Sequence, residues 1–510
     1  MTLQSIEESN EVEYGTIASV QAVPVRVDDV SSDNNSLAAN MTGYSKSSSG
    51  GKFWTVGTLR YTTRGLIVLF GWLLIGDFVW SMRDRAIGAV SQVMLKKYGA
   101  SDFMVGLLLV SLPQAIALFL GPTVSCWSDR CRTRWGRRIP FLIIMAPIGA
   151  LAVIGFAFSP MIGKWFHNLI GASPNTADIF AIATFGVFWT IFDISSITAN
   201  TVFGGLVNDV VPHNIIGRFY GLFRAASLLA GIIFFYVLMG KAEDYYMAIY
   251  LGLGVLYGVG FTSMCFNVKE GGYPAPPSMS GSKGVHPLKS VKSYFYECFS
   301  SSYYVWYYMM QAMSALAMTA TFIFSVYAAR SFGLSLGDYG LCLVFTYIGS
   351  LVLSYPLGIM VDKFHPLRMT LLALFLHVLI TFCGFFFIVS PTAFAIIFTI
   401  QGICAGTYGT CASGLPTRLL PKSRFTQMVS AGGMVASILT IVFAAIFGKF
   451  LDIVDHQYQY TFGVGCLFTV LALIAGIYLY RGFLSLGGLK NYVPPEPASI
   501  ADGENINKLE

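Results

Sequence analysis

The sequence predicts an all-α membrane protein of twelve transmembrane helices arranged as two six-helix bundles. Three observations carry this. First, of 510 residues, 55% are hydrophobic and only 11% charged, whereas a soluble domain carries about 25% charged residues. Second, the apolar residues fall in continuous runs of about 20, the length that crosses a hydrocarbon core, without the apolar–polar alternation of a membrane β-barrel. Third, the runs come as six, a polar stretch, and six more. A chain so poor in charge cannot cover a set of soluble domains with polar surface. That excludes soluble-enzyme, DNA-binding and disordered classes for the chain as a whole.

The elements follow in order. Residues 1–60 are rich in Ser, Asn, Val and acids and are expected to be a disordered tail. They contain no apolar core, so no cleaved signal peptide is expected. The first bundle occupies 61–268, with a first run from near Gly65 and five more over 103–126, 139–159, 178–206, 217–239 and 246–267. A polar linker, 269–300, separates it from the second bundle, 301–482, with runs at 303–328, 339–361, 368–389, 391–415, 426–448 and 460–480. Residues 483–510 form a polar tail.

Charge sets the orientation. The first 50 residues carry seven acids and two bases, which leaves the rest of the chain basic. Those bases sit in short loops: 21 fall on the side that holds both tails, the linker and the loop after the second run, against at most eight on the other. The positive-inside rule places both termini and the linker in the cytosol of a cell-membrane protein. The charge therefore reads as topology, and no nucleic-acid partner is expected. Nine Cys show no CxxC and no His/Cys cluster, and most lie in apolar runs, so no metal is expected. There is no GxxxxGK[ST] loop, so ATP does not drive the protein directly. No cofactor and no catalytic constellation is expected, and a monomer is.

Charged residues inside the runs are the candidate chemistry, because an ionisable group in a span is costly and functional by default. Asp193 stands in the fourth run, FGVFWTIFDISSITANTVFGG, and Arg224 in the fifth, GLFRAASLLAGIIFF. A guanidinium there needs a counter-charge, and Asp193 on the preceding helix is the nearest candidate. Hydropathy alone would end the first helix at residue 82, leaving Arg83-Asp84-Arg85 outside. But 86–95 is again apolar up to Lys96-Lys97, so a long first helix with Arg83 and Asp84 facing the cavity is the reading adopted, with Asp77 nearer the cytosolic half. Trp80, Trp189, Trp306 and Tyr408 offer ring faces on which a solute can stack, although most of the aromatics must be lipid contact or packing. His377 reads as a packed imidazole.

Two short loops repeat an acid followed by bases: Asp129-Arg130-Cys131-Arg132-Thr133-Arg134-Trp135-Gly136-Arg137-Arg138 after the second run, and Asp362-Lys363-Phe364-His365-Pro366-Leu367-Arg368 after its counterpart in the second half. Such repeats are how secondary transporters build alternating access. The expected role of Asp129, Arg130, Gly136, Arg137, Arg138, Asp362 and Lys363 is a latch, with a carboxylate pairing to guanidiniums across the cytosolic face in one state and parting in the other.

The string DRCRTRWGRRIPF resembles the signature loop of the major facilitator superfamily, and within it the glycoside–pentoside–hexuronide transporters and their plant sucrose-transporter relatives. The resemblance covers about residues 65–480. It implies the major facilitator fold and proton-coupled sugar uptake. Thr190-Ile191-Phe192-Asp193-Ile194 is similar to the segment of melibiose permease whose Asp binds sugar and cation. In sucrose transporters the Asp of a similar run is the proton-coupling acid. Arg224, seven residues before Gly231, and Asp84, in Arg83-Asp84-Arg85-Ala86-Ile87-Gly88, match sugar-contacting positions. The implied substrate site is Arg83, Asp84, Trp189, Asp193 and Arg224, with Asp193 as the proton carrier and a sugar and a proton as partners. The sequence departs from the relatives at Gly204, where sucrose transporters have an Arg. It departs again at Ala117 and Gly121, where melibiose permease has the aspartates of its sodium site. One acid and a proton are the simpler coupling. A sodium-coupled or uncoupled carrier of another solute is the alternative, as is a sugar sensor, against which the short C-terminal tail argues.

Overall fold

The computed structural model describes residues 44–46, 52–171, 173, 176–212, 215–273, 294–421 and 424–496. The expectations for residues 1–43, for most of the linker and for the end of the C-terminal tail lie outside the described residues.

Eleven of the described helices are long and apolar enough to cross a membrane, and a pair bent by 43° makes a twelfth. They are α1 (Thr63–Lys97), α2 (Asp102–Arg130), α3 (Ile139–Ile170), α4 (Ala177–Val210), α5 (Ile216–Val237), α6 (Tyr246–Asn267), α7 (Ser302–Phe322, resuming as Ser325–Ser331), α8 (Leu336–Phe364), α9 (Pro366–Phe387), α10 (Pro391–Ala412), α11 (Phe425–Ile453) and α12 (Tyr460–Ser485). Their starts are written locally. Thr62, Ser101, Ser335 and Ser390 each accept a first-turn N–H, as N-caps do. Pro366 and Pro391 stand in the first turn, where a helix makes no use of the backbone N–H. In α2 a π turn, Leu107–Ser111, precedes Pro113. Proline supplies no N–H and forces the ladder to slip.

The first helix is the long one, 35 residues to Lys97. Part of the expected disordered tail, however, is regular structure. Tyr44–Lys46, Lys52–Val56 and Leu59–Thr62 form a three-stranded antiparallel sheet, β1-β2-β3. The reason is local: Gly57, at φ +54°, makes the turn, and β3 alternates buried Leu59 and Tyr61 with exposed Arg60 and Thr62. Past α6, Gly272 donates its N–H to Thr58 Oγ1 at 2.7 Å and so ties the hairpin to the start of the linker. At the linker's other end, residues 294–299 are helical.

The apolar core shows which end of the molecule is closed. At the end carrying the basic loops there are two separate cores, one built only of residues between Leu59 and Val268, the other only of residues between Cys298 and Phe483. At the opposite end a single core joins both halves, from Met82 on α1 to Phe447 on α11 and Phe462 on α12. Glycines let the backbones touch there. A Cβ on Gly106 of α2 would overlap the Ala444 carbonyl of α11, and one on Gly340 of α8 the Phe235 carbonyl of α5.

A polar cluster completes the closed end. Asp102 is fully buried at the start of α2; it accepts from Lys96 Nζ at 3.1 Å, from Tyr458 at 3.0 Å and from His456 Nδ1 at 2.6 Å. Asp452 of α11 accepts the N–H groups of Asp102 and Phe103 at 2.8 and 3.0 Å, and Arg330 pairs with Glu243 across the halves. Replacing Asp102 with Ala removes charge-assisted bonds of about 1.5–3 kcal/mol and leaves Lys96 and Tyr458 facing a void. Spin labels at Tyr245 and Ser331, one in each half at this end, are expected to give a longer and broader distance distribution in Asp102→Ala than in the unaltered protein.

Candidate functional site

α1 advances 100° per residue, so Arg83, Asp84 and Arg85 point in three directions. Arg83 enters the bundle and is 0% exposed. Its guanidinium carbon lies 4.0 Å from the Trp80 ring centre, 4.3 Å from Tyr257 and 4.9 Å from Phe192. Stacking on aromatic faces is a favourable burial for a guanidinium. Nη2 donates to Ser196 Oγ at 3.0 Å, while Nε and Nη1 make no hydrogen bond of ordinary geometry among the described residues. Hydropathy would have placed this residue in a loop; three aromatic rings hold it in the core.

Asp84 opens into a cavity of about 440 Å³ whose wall also includes Trp189, Asp193, Ser196 and Gln114 from the first half and Thr319 and Thr440 from the second. Asp193 is 6% exposed; the Nε1 of Trp189, one turn earlier on α4, is directed at its carboxylate but, among the described residues, neither it nor Asp193 Oδ2 makes a bond of ordinary geometry. Asp193 senses the charges of both Asp84 and Arg83. The π turn of α2 lines the same cavity through Leu109 and Val110. Ala117 and Gly121 of α2 supply no side-chain oxygen.

Arg85 opens into a second compartment of about 490 Å³, with Arg224, Tyr339 and Tyr347; it shares Gly88, Gln92 and Phe322 with the first. Arg85 donates to Ser227 Oγ at 2.7 Å and to the Ser227 carbonyl at 3.3 Å. Ser81 links Ser227 Oγ, 2.9 Å away, to Asp77 Oδ1 at 3.4 Å. Asp77, Ser81 and Arg85 are spaced four apart, on one face of α1. That spacing was the sequence signal for a line of polar contacts to α5.

The expected Asp193–Arg224 pair is not formed. Arg224 is exposed to the second compartment, where Nη2 donates to Thr410 Oγ1 of α10 at 3.3 Å. Asp193 instead has Arg83 as its nearby cation. The reason is azimuth: Asp193 faces α1, and adjacency of α4 and α5 in sequence does not aim their charged residues at each other. His377 is a packed imidazole, held by Thr469 at 3.0 Å and Gln401 at 3.1 Å in the second half.

The basic loop after α2 forms ion pairs, but within the first half and, among the described residues, not across to the second. Arg138 pairs with Asp129 at 2.7 Å and with Asp209 at 3.2 Å, and Arg137 with Asp209 at 2.6 Å. Hydrogen bonding to Asp209 leads the causes that raise the Arg137 pKa, against the opposing effect of burial. Gly136 turns the loop at φ +109°, and a Cβ there would strike Glu270. Arg130 ends α2. Asp362 and Lys363 are exposed in the second half; Lys363 lies 5.4 Å from the Phe364 ring centre, and neither makes an ion pair among the described residues.

Glu270, which sequence reasoning passed over, organises this cluster. Its carboxylate accepts the backbone N–H groups of Arg137, Arg138 and Ile139 at 2.9, 2.8 and 2.7 Å, at the start of α3. Orphan N–H groups and the dipole favour an anion at that place. Tyr273 donates to Glu270 at 3.0 Å and stacks under Arg137. Burial, then the nearby carboxylates, raise its phenol pKa. Glu270→Ala is expected to cost about 2 kcal/mol and lower the melting temperature of the purified protein, with Glu270→Gln falling between. Equal melting curves for all three would count against the assignment.

A family model described as Major Facilitator Superfamily matches residues 307–502. Solved structures similar to this chain include a bacterial homolog of the human lysosomal transporter Spinster in an inward-facing, unoccupied conformation (TM-score 0.60, 14% identity, covering 84% of this chain and 99% of that one). The nucleoside transporter NupG is similar over 81% of this chain and 99% of its own, with TM-score 0.59 and 11% identity. A D-xylose–proton symporter is similar over 84% and 98%, with TM-score 0.59 and 13% identity. At these identities it is the architecture that is shared: the chain has the twelve-helix major facilitator fold.

Proposed function

We propose that the protein is a secondary active transporter that moves a sugar or other glycoside together with a proton by alternating access. The observation that carries this reading is the pairing of Asp84 and Asp193 on one cavity wall midway along α1 and α4, with Arg83 held behind them. A carboxylate with a free oxygen in a water-accessible cavity can exchange a proton, and two carboxylates present acceptors to sugar hydroxyls. The shared core at one end and the split cores at the other support a carrier open toward the end with the basic loops, which the charge rule assigns to the cytosol, and closed at the opposite end. Both termini lie on that face in this reading, with the protein a monomer in the cell membrane.

The test is uptake of labelled sugar into proteoliposomes with pH and sodium gradients imposed separately. Uptake is expected to follow pH and to ignore sodium; uptake driven by sodium at constant pH overturns the coupling. Asp84→Ala is expected to weaken sugar binding at least tenfold, since a site built around hydroxyls loses far more with a polar partner than with an apolar one. A cysteine placed at Asp84 is expected to be shielded by sugar from a membrane-impermeant thiol reagent. Free labelling with and without sugar would remove Asp84 from the site.

A further inference from the structure

The polar cluster at the closed end brings together three metal-ligating side chains from both halves. Asp102 starts α2, Asp452 lies in the last turn of α11, and His456 follows three residues after that helix ends. One oxygen of each carboxylate and one ring nitrogen of His456 all lie within 4.8 Å of one another. His456 Nδ1 is 2.6 Å from Asp102 Oδ2 and 3.9 Å from Asp452 Oδ1. A tetrahedral Zn2+ with bonds of about 2.0–2.2 Å sets its ligand atoms about 3.3 Å apart. The imidazole would thus move about 0.7 Å away from Asp102 and about 0.6 Å toward Asp452 to meet that spacing. Both changes have the same sense, so one swing of the ring supplies them. The ring is free to swing: its side chain is 46% exposed, while its backbone N–H is fixed to the Leu451 carbonyl at 2.9 Å.

The two carboxylates are held from behind. Lys96 and Tyr458 bond Asp102 Oδ1 at 3.1 and 3.0 Å, and the N–H groups of Asp102 and Phe103 bond Asp452. Such outer partners aim a ligating carboxylate. Charge favours a cation, since two carboxylates against one ammonium leave −1 when the imidazole is neutral. An imidazole with two carboxylates suits Zn2+, whereas Mg2+ and Ca2+ take oxygen ligands. The ligands stand 350 and 354 residues apart in the chain, so local spacing in the sequence gives no sign of them. They meet because α2 and α11 touch backbone to backbone, where a Cβ on Gly448 would overlap the Asp102 carbonyl. We infer that Asp102, Asp452 and His456 form a Zn2+ site that is complete only while this end is closed, so that the ion clamps the two halves together. The proton between His456 and Asp102 leaves to solvent as the ion takes its place. A ligand that binds one of two states draws the population to it, so bound Zn2+ holds the carrier in the closed-end state.

The test is a calorimetric titration of Zn2+ into the full-length purified protein, freed of any affinity tag. It uses no solute and no gradient, so its outcome is independent of what the carrier moves. Zn2+ is expected to bind and Mg2+ is not. Losing a group that only supports a ligand costs about 10–100-fold in metal affinity, and His456→Ala is expected to cost at least as much. His456→Cys is expected to keep the affinity, because a thiolate is a zinc ligand; this guards against a misfolded Ala variant. Spin labels at Tyr245 and Ser331 are expected to give a narrower distance distribution with Zn2+ than without, and no such change in His456→Ala. Absence of Zn2+ binding, or equal affinity in the unaltered protein and His456→Ala, overturns the site. Binding that depends on His456 but leaves the distances unchanged overturns the clamp.

Discussion

Asp193→Asn will abolish concentration of solute against its gradient while leaving exchange of solute across the membrane. Asn keeps the shape and a hydrogen-bonding oxygen of Asp193 but cannot carry a proton. At one proton per solute, each unit of pH difference supplies about 1.4 kcal/mol, a tenfold accumulation. The variant is expected to bring internal and external solute to equality under the same gradient. The measurement is paired: uptake driven by a pH step, and counterflow at equal pH. Loss of both would make Asp193 a structural residue, and survival of both would take the coupling away from it.

Arg83→Gln will destabilise the protein, and combining it with Asp193→Asn will cost less than the two losses added, without recovering transport. Arg83 is fully buried, stacked by Trp80, Phe192 and Tyr257 and bonded to Ser196, three residues after Asp193; among the described residues it forms no contact ion pair with Asp193. Breaking a buried contact pair costs about 3–5 kcal/mol; at a longer separation a smaller coupling is expected, with the double variant less destabilised than the sum of the singles. Melting temperature and yield of the two single variants and the double variant measure the coupling. Strictly additive losses would show that the two residues act independently. Arg224→Gln gives the contrast: Arg224 is exposed to the cavity, so a small stability effect is expected.

The helix count, the bundle halves and the buried acid of α4 were all legible, because each rests on length and hydropathy along the chain. What escaped depends on direction. Asp193 and Arg224 were matched because their helices are consecutive, yet a run of apolar residues on every face carries no azimuth. Only packing shows that Asp193 looks toward α1. Glu270 was invisible for another reason: it is a lone acid after α6, and its partners lie more than 130 residues earlier in the chain. The β2–β3 hairpin had its alternation in plain view around Gly57, but acid-rich composition led it to be read with the tail. Arg83 is the instructive case. Hydropathy sums cannot register that three rings across α1, α4 and α6 make one place in the interior hospitable to a guanidinium.

The enclosure of Arg83 also bears on how the membrane potential acts. A guanidinium keeps its charge, so a proton taken up by Asp193 adds one positive charge to the group formed by Arg83, Asp84 and Asp193. Moved together with an uncharged sugar, that proton carries one elementary charge across the membrane in each turn of the proposed cycle. A potential of 100 mV, negative inside, is worth about 2.3 kcal/mol per elementary charge moved fully across. Hyperpolarisation is therefore expected to deepen the accumulation of an uncharged sugar at a fixed pH difference, and depolarisation to reduce it.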